Sequence, residues 1–201
     1  MDTLFSRPSI DSNSGVNSIL YNSKTIQIVD EVLEKRQNAW VLDTGTVCNE
    51  NVNFFAQRAK KLFISDMPKY LDRVLYDGIK LNSVWRHMDY APDSFDVISL
   101  WNLVDYLSDN DSKRLSEICH ILIKHNGFLI VTGFEEQPSE NQVNSFVIGE
   151  DNRVSLRLQP QLNLPWHYRH NRALISILKP FSIVKSFRYR KGIREYLFQH
   201  S

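Results

Sequence analysis

Four short stretches carry residues whose types and spacing suit a small-molecule site. Asp43 and Gly45 in VLDTGTV, Asp66 and Met67 in FISDMP, Met88 and Asp89 in HMDY, and Trp101 and Asn102 in LWN each close an apolar run. If each run is a buried strand, these residues sit at strand C-terminal ends, where open α/β sheets bind their ligands. Asp66 follows Gly45 by 21 residues, the spacing at which a carboxylate accepts both hydroxyls of a ribose. Asp89 is placed to accept from an exocyclic amine, with Met88 against the flat face of an adenine. Asp43 is placed to hold its loop or to meet a ligand ammonium through a water. Such a ring of acids suits a positively charged adenosine better than a pyrophosphate, which relies on backbone N–H groups and is repelled by carboxylates.

A fifth stretch, LNLPWHYRHNR over 162–172, gathers side chains able to move a proton or hold an anion. His167 and Tyr168 are candidates for a catalytic base or acceptor clamp, and Arg169 or Arg172 for an anion contact. Asp105 in WNLVDYL is a further candidate base. The same aromatic residues also serve as ordinary packing anchors.

The elements that must position these groups are legible in the apolar periodicity. KTIQIVDEVLEKR repeats apolar residues at helical spacing behind Ser23, a suitable N-cap. AWVLDT, KLFISD, SVWRHMD, FDVISLW and FLIVTGF then read as strands, most of them followed by helical stretches, which predicts a doubly wound parallel sheet. Asp109 or Asp111 is expected to cap the helix over SDNDSKRLSEICHILIKHNG, and Asn126-Gly127 to end it. EEQPSENQVNSFVIGED reads as an insertion or lid loop, RVSLRLQ as a short strand, and Asn171 to Leu178 as a short helix. FSIVKSFRYR and IREYLFQH, joined at Lys191-Gly192, predict an antiparallel hairpin. We expect a flexible arm over 1–16 and a single domain over 17–201, in which 134–172 caps the strand ends.

Composition narrows the classes. With 42% hydrophobic and 23% charged residues in 201, the chain suits one globular domain. It has no apolar run of about eighteen residues and no signal-like start, so membrane spanning and secretion are not expected and a cytoplasmic location is. Cys48 and Cys119 are expected to be free thiols. Residues 151–201 carry 10 Lys and Arg against 2 acids, a net of +8. That segment offers a surface to nucleic acid or an acidic protein partner, or simply two strands bearing solvated basic residues. No metal-ligand constellation and no Gly-x-Ser-x-Gly elbow occurs.

The order VLDTG, LFISDM, HMDYAPDSFDVISLWNLVDYL and LSEICHILIKHNGFLIVTG resembles the class I S-adenosylmethionine-dependent methyltransferases of the type 11 kind, over about Ala39 to Gly133. The resemblance implies a Rossmann-like, mostly parallel seven-stranded sheet ending in an antiparallel hairpin, with S-adenosylmethionine as cofactor and an unidentified, small-molecule acceptor. By position, it places Asp43 and Gly45 at the methionine end, Asp66 on the ribose and Met67 beside the adenine. It places Met88 and Asp89 at the adenine, and Trp101 and Asn102 beside the sulfonium and the acceptor. The chain departs from the family's Gly-x-Gly-x-Gly loop, having Val47 and Asn49 where glycines are usual. A β-branched residue resists positive φ and adds bulk, so Val47 leaves two expectations: a divergent enzyme, or a catalytically inactive methyltransferase-like module that binds a partner or ligand. A dinucleotide-dependent reductase ranks below both, because its glycine fingerprint is missing.

Overall fold

A computed structural model describes residues 19–136, 142–190 and 192–201. The arm expected over 1–16 and part of the insertion lie outside them. In chain order the elements are β1 (Leu20–Asn22), α1 (Lys24–Lys35), β2 (Trp40–Asp43), α2 (Asn49–Ala56), β3 (Lys61–Ile64), α3 (Met67–Tyr76) and α4 (Leu81–Val84). They continue with β4 (Phe95–Trp101), α5 (Asp109–Leu122), β5 (Ile123–Phe134), β6 (Gln142–Ile148), β7 (Arg153–Asn163), α6 (Asn171–Ile177), β8 (Ser182–Arg188) and β9 (Ile193–Gln199).

The main sheet has the order β3-β2-β4-β5-β9-β8. β3, β2, β4 and β5 run parallel, while β9 lies antiparallel to both β5 and β8. Neighbouring residues on its central strands face opposite layers. Val41, Val97, Ile130 and Leu197 pack towards α1 and α2, whereas Leu42, Ile98, Leu129 and Phe198 pack towards α3, α5 and α6. A strand buried on both faces needs apolar residues at consecutive positions, which is why these runs read as continuous rather than alternating. Ser23 caps α1 by accepting from the Ile26 backbone N–H, as its position suggested.

Three expectations are corrected. The run SVWRHMD is not a strand: α4 continues into a 3-10 turn over Trp85–Met88, because Val84, Trp85 and Met88 bury at helical rather than alternating spacing. The main sheet therefore has six described strands instead of seven. The long helix is capped by Ser108, not Asp109 or Asp111, and ends at Leu122; Asn126, at φ 62°, turns the chain within β5. Finally, much of the expected lid loop is strand. β6 pairs antiparallel with β7, and β7 with β1, giving a second, three-stranded sheet.

That second sheet is fastened over the rim of the first. Asn51 on α2 donates to the Phe146 carbonyl and accepts from the Ile148 N–H, both at 2.8 Å. Asp72 on α3 accepts from the Asn163 N–H at 3.2 Å. Burial of Phe146, Ile148, Val154 and Leu156 in the α1–α2 layer adds about 2 kcal/mol for each large side chain.

Candidate functional site

The rim formed by the C-terminal ends of the parallel strands divides into two parts. Over β2 and β4 it is closed. Asp43, at the end of β2, is fully buried, and its Oδ1 accepts from Trp101 Nε1 at 2.7 Å, Ser99 Oγ at 2.9 Å and the Gly45 N–H at 3.1 Å. Burial pushes its carboxyl up, and the three donors, Trp101 foremost, pull it back. Trp101 ends β4 beyond a bulge, at φ 51°, a left-handed conformation costly for a bulky residue. Its indole is 3% exposed and stacks on Phe146 at 5.7 Å and 11°.

Gly45 makes room for that indole. A Cβ at this position would lie 2.4 Å from Trp101 Cδ1 and 2.7 Å from Nε1. The space left between Gly45, Thr46, Trp101, Asn102, Asn144 and Phe146 is about 10 Å³, enough for about one water. Asn102, in its lining, donates to Tyr106 Oη at 2.6 Å.

The adenosine-side candidates do not share one cavity. Asp66 is partly buried, caps α3 by accepting from the Lys69 N–H at 3.2 Å, and has its carboxyl raised by burial against the pull of the Lys69 and Val47 backbone donors. Met67 and Met88 are core residues, 0% and 1% exposed. Asp89 is exposed and opens, with Met88, Trp85, Tyr90 and Arg114, onto a separate cleft of about 310 Å³ against α5. Val47 points its side chain outward, 52% exposed, so it does not fill the loop. The obstruction is Trp101. With the indole in this position the remaining space of about 10 Å³ does not fit a complete S-adenosylmethionine.

Over β5 and β9 the rim is open, and of the three candidate proton-handling residues only Tyr168 lines it. Asp105 sits in a 3-10 turn over Leu103–Tyr106, 5% exposed, and its Oδ2 has no hydrogen-bond partner among the described residues. Burial pushes its pKa up to about 7, against the opposing pull of Arg194 and Arg169. The His167 N–H donates to the Asp105 carbonyl at 2.7 Å. Burial, with Arg169 adding to it, pushes the His167 ring below its usual value. Tyr168 is 42% exposed and faces the cleft. None of the three lines the small cavity over β2 and β4.

Arg169 is consumed structurally. It donates to the Val104 and Leu107 carbonyls at 2.7 and 2.6 Å and pairs with Asp109 at 2.8 Å, locking the turn to the start of α5. Arg194, which no motif singled out, is 6% exposed and donates to Asn171 Oδ1 and the Phe134 carbonyl, both at 2.6 Å. A basic residue inside an otherwise alternating terminal strand was the available signal. Cys48 and Cys119 are both free and buried, and no group of metal-ligating residues occurs among the described residues.

The fold has counterparts among solved structures. A 1,6-didemethyltoxoflavin-N1-methyltransferase from Burkholderia thailandensis, crystallised with 1,6-didemethyltoxoflavin and S-adenosylhomocysteine, superposes with a TM-score of 0.51 at 12% identity, covering 89% of this chain and 79% of that one. The fold is that of the class I S-adenosylmethionine-dependent methyltransferases. An S-adenosylmethionine-dependent methyltransferase from Mesorhizobium loti gives a TM-score of 0.50 at 13% identity, over 84% of this chain and 96% of that one. No family model and no curated protein matches the sequence.

Proposed function

We propose that the chain is a methyltransferase of this fold, acting on a small-molecule acceptor, whose S-adenosylmethionine site is covered by Trp101. The observation that carries the reading is the strand-end arrangement itself: Asp43 ending β2 with Gly45 just beyond it, Asp66 after β3, and Trp101 ending β4 with Asn102 next. Binding requires the indole to leave Asp43 and Phe146. That movement exchanges one hydrogen bond and one ring stack for ligand contacts, and it releases the left-handed backbone at residue 101.

A second reading is favoured by the small size of the cavity: a methyltransferase-like binding module that transfers no methyl group. Calorimetric titration with S-adenosylhomocysteine, on the wild type and on Trp101→Ala, separates the two. Heat with the wild type supports the enzyme. Heat only with the variant supports the inactive module, and none with either, from folded samples, removes the cofactor.

Asp105, His167 and Tyr168 are proposed for the acceptor side, because the His167 N–H bonds the Asp105 carbonyl and Tyr168, next in sequence, lines the open cleft. Small-molecule chemistry suits the basic segment better than a nucleic-acid surface does. Arg169 and Arg194 are internal, and Arg157 and Arg188 are paired with Glu50 and Glu135. A steep loss of RNA affinity with added salt would argue the contrary.

A further inference from the structure

The open cleft where β5 ends and β9 begins has the construction of an anion site. Its volume is about 720 Å³, and its lining includes Tyr168, His170, Asn171, Arg172, Arg188 and Arg194. The decisive residue is Asn171. Its Oδ1 accepts from Arg194 Nη1 and from Tyr196 Oη, both at 2.6 Å. Arg194 is held in turn by the Phe134 carbonyl at 2.6 Å and the Arg169 carbonyl at 3.1 Å, and is 6% exposed.

A guanidinium donates only, so the amide of Asn171 has one orientation, with its oxygen inward. Its Nδ2 is an exposed, fixed donor with no partner among the described residues. Arg172, next in sequence and exposed, likewise has no hydrogen bond or ion pair among them. Arg194 Nε is buried and has no hydrogen-bond partner among the described residues, and the acid behind it, Asp105, is itself buried. Tyr168, 42% exposed, gives an aromatic edge beside these donors, with Arg194 5.8 Å from its ring centre.

Charge agrees with this assignment. Arg188 offsets Glu135 through an ion pair, leaving Arg172 and Arg194 against Glu136 at the lip. We propose that this cleft binds the oxyanion of a small ligand, a carboxylate or a phosphate, through Asn171 Nδ2 and Arg172, with Tyr168 against the ligand's body. The site stands apart from the S-adenosylmethionine reading. It needs neither Trp101 to move nor a methyl group to be transferred.

The test uses the full chain, titrated with benzoate and with phenyl phosphate and followed by NMR of the Asn171 side-chain amide. Saturable shifts there are expected, and the tighter of the two probes identifies the oxyanion. Asn171→Asp keeps an oxygen for Arg194 and Tyr196 but replaces the donor with a negative charge, and should weaken binding by about tenfold or more. Arg172→Ala removes an exposed side chain without structural contacts, and should weaken it by roughly five- to tenfold. Arg190→Ala, exposed and outside the cleft, should bind as the wild type does. The proposal is overturned if neither probe saturates, or if Arg172→Ala binds as tightly as the wild type. It is overturned equally if Arg190→Ala weakens binding as much as Arg172→Ala does, since the attraction would then be unspecific.

Discussion

The two ends of one sheet rim have been finished in opposite ways. Over β2 and β4 the chain turns a large aromatic inward, satisfies its N–H on Asp43, and leaves about 10 Å³. Over β5 and β9 it turns an arginine inward, answers most of its donors with carbonyls, and leaves about 720 Å³. Both ends use a buried polar group to fix a neighbour. At the closed end the fixed neighbour fills the space itself, and at the open end it presents a donor to the space. A strand end therefore does not make a site by position alone; the side chain that closes the strand decides whether the position is available.

The contrast is tested most severely at Trp101. Trp101→Ala should lower stability by about 3–5 kcal/mol in urea denaturation if the indole is a packed plug. A loss under about 1 kcal/mol would mean that its left-handed backbone already cancels the packing, so that the closed end stands ready to open. Gly45→Ala attacks the same contact from the other side. Its methyl group would meet the indole at 2.4 Å, so a loss of about 1–3 kcal/mol is expected, with a changed tryptophan emission as the indole is displaced.

The open end is probed by pH. Burial raises the Asp105 pKa to about 7 from the ordinary carboxylate value, so between those values the folded protein holds a proton that the unfolded chain has released. Its contribution is full below the unfolded value and is lost as pH rises through about 7. The wild-type melting temperature should fall between pH 5 and pH 8, by an amount corresponding to about 1–2 kcal/mol, and Asp105→Asn should flatten the slope. An unchanged slope in the variant would place the titrating group elsewhere.

The smallest effects are expected where the side chains only face solvent. Arg172→Ala should change stability by less than about 0.5 kcal/mol while weakening anion binding by roughly five- to tenfold. Val47→Gly should leave S-adenosylhomocysteine affinity unaltered, since Val47 is 52% exposed and lines none of the three clefts described above. A gain in affinity would return the obstruction to the loop.

Val47 and Trp101 show how far the sequence could be read. The missing glycines directed attention to the loop, because local backbone rules concern residues near in sequence. The plug, however, comes from 56 positions after Gly45, and no local rule reports that Trp101 turns left-handed at a bulge and lies back over it. The segment that holds Met88 and Asp89 makes a related point. Its sequence suggests a strand end, whereas the burial of Val84, Trp85 and Met88 at helical spacing makes a turn that opens towards α5.

What the sequence determined by itself is the doubly wound core. Continuous apolar strands and amphipathic helices can satisfy their backbones and bury their faces in few other ways, and Ser23 and Gly192 mark their boundaries through local backbone chemistry. What only the tertiary structure decided is which strand ends remain accessible. That depends on long-range partners: Phe146 on Trp101, Asn51 on β6, and Arg194 on Asn171. Each joins residues distant in the chain, whose meeting follows from sheet order rather than from any motif either residue belongs to.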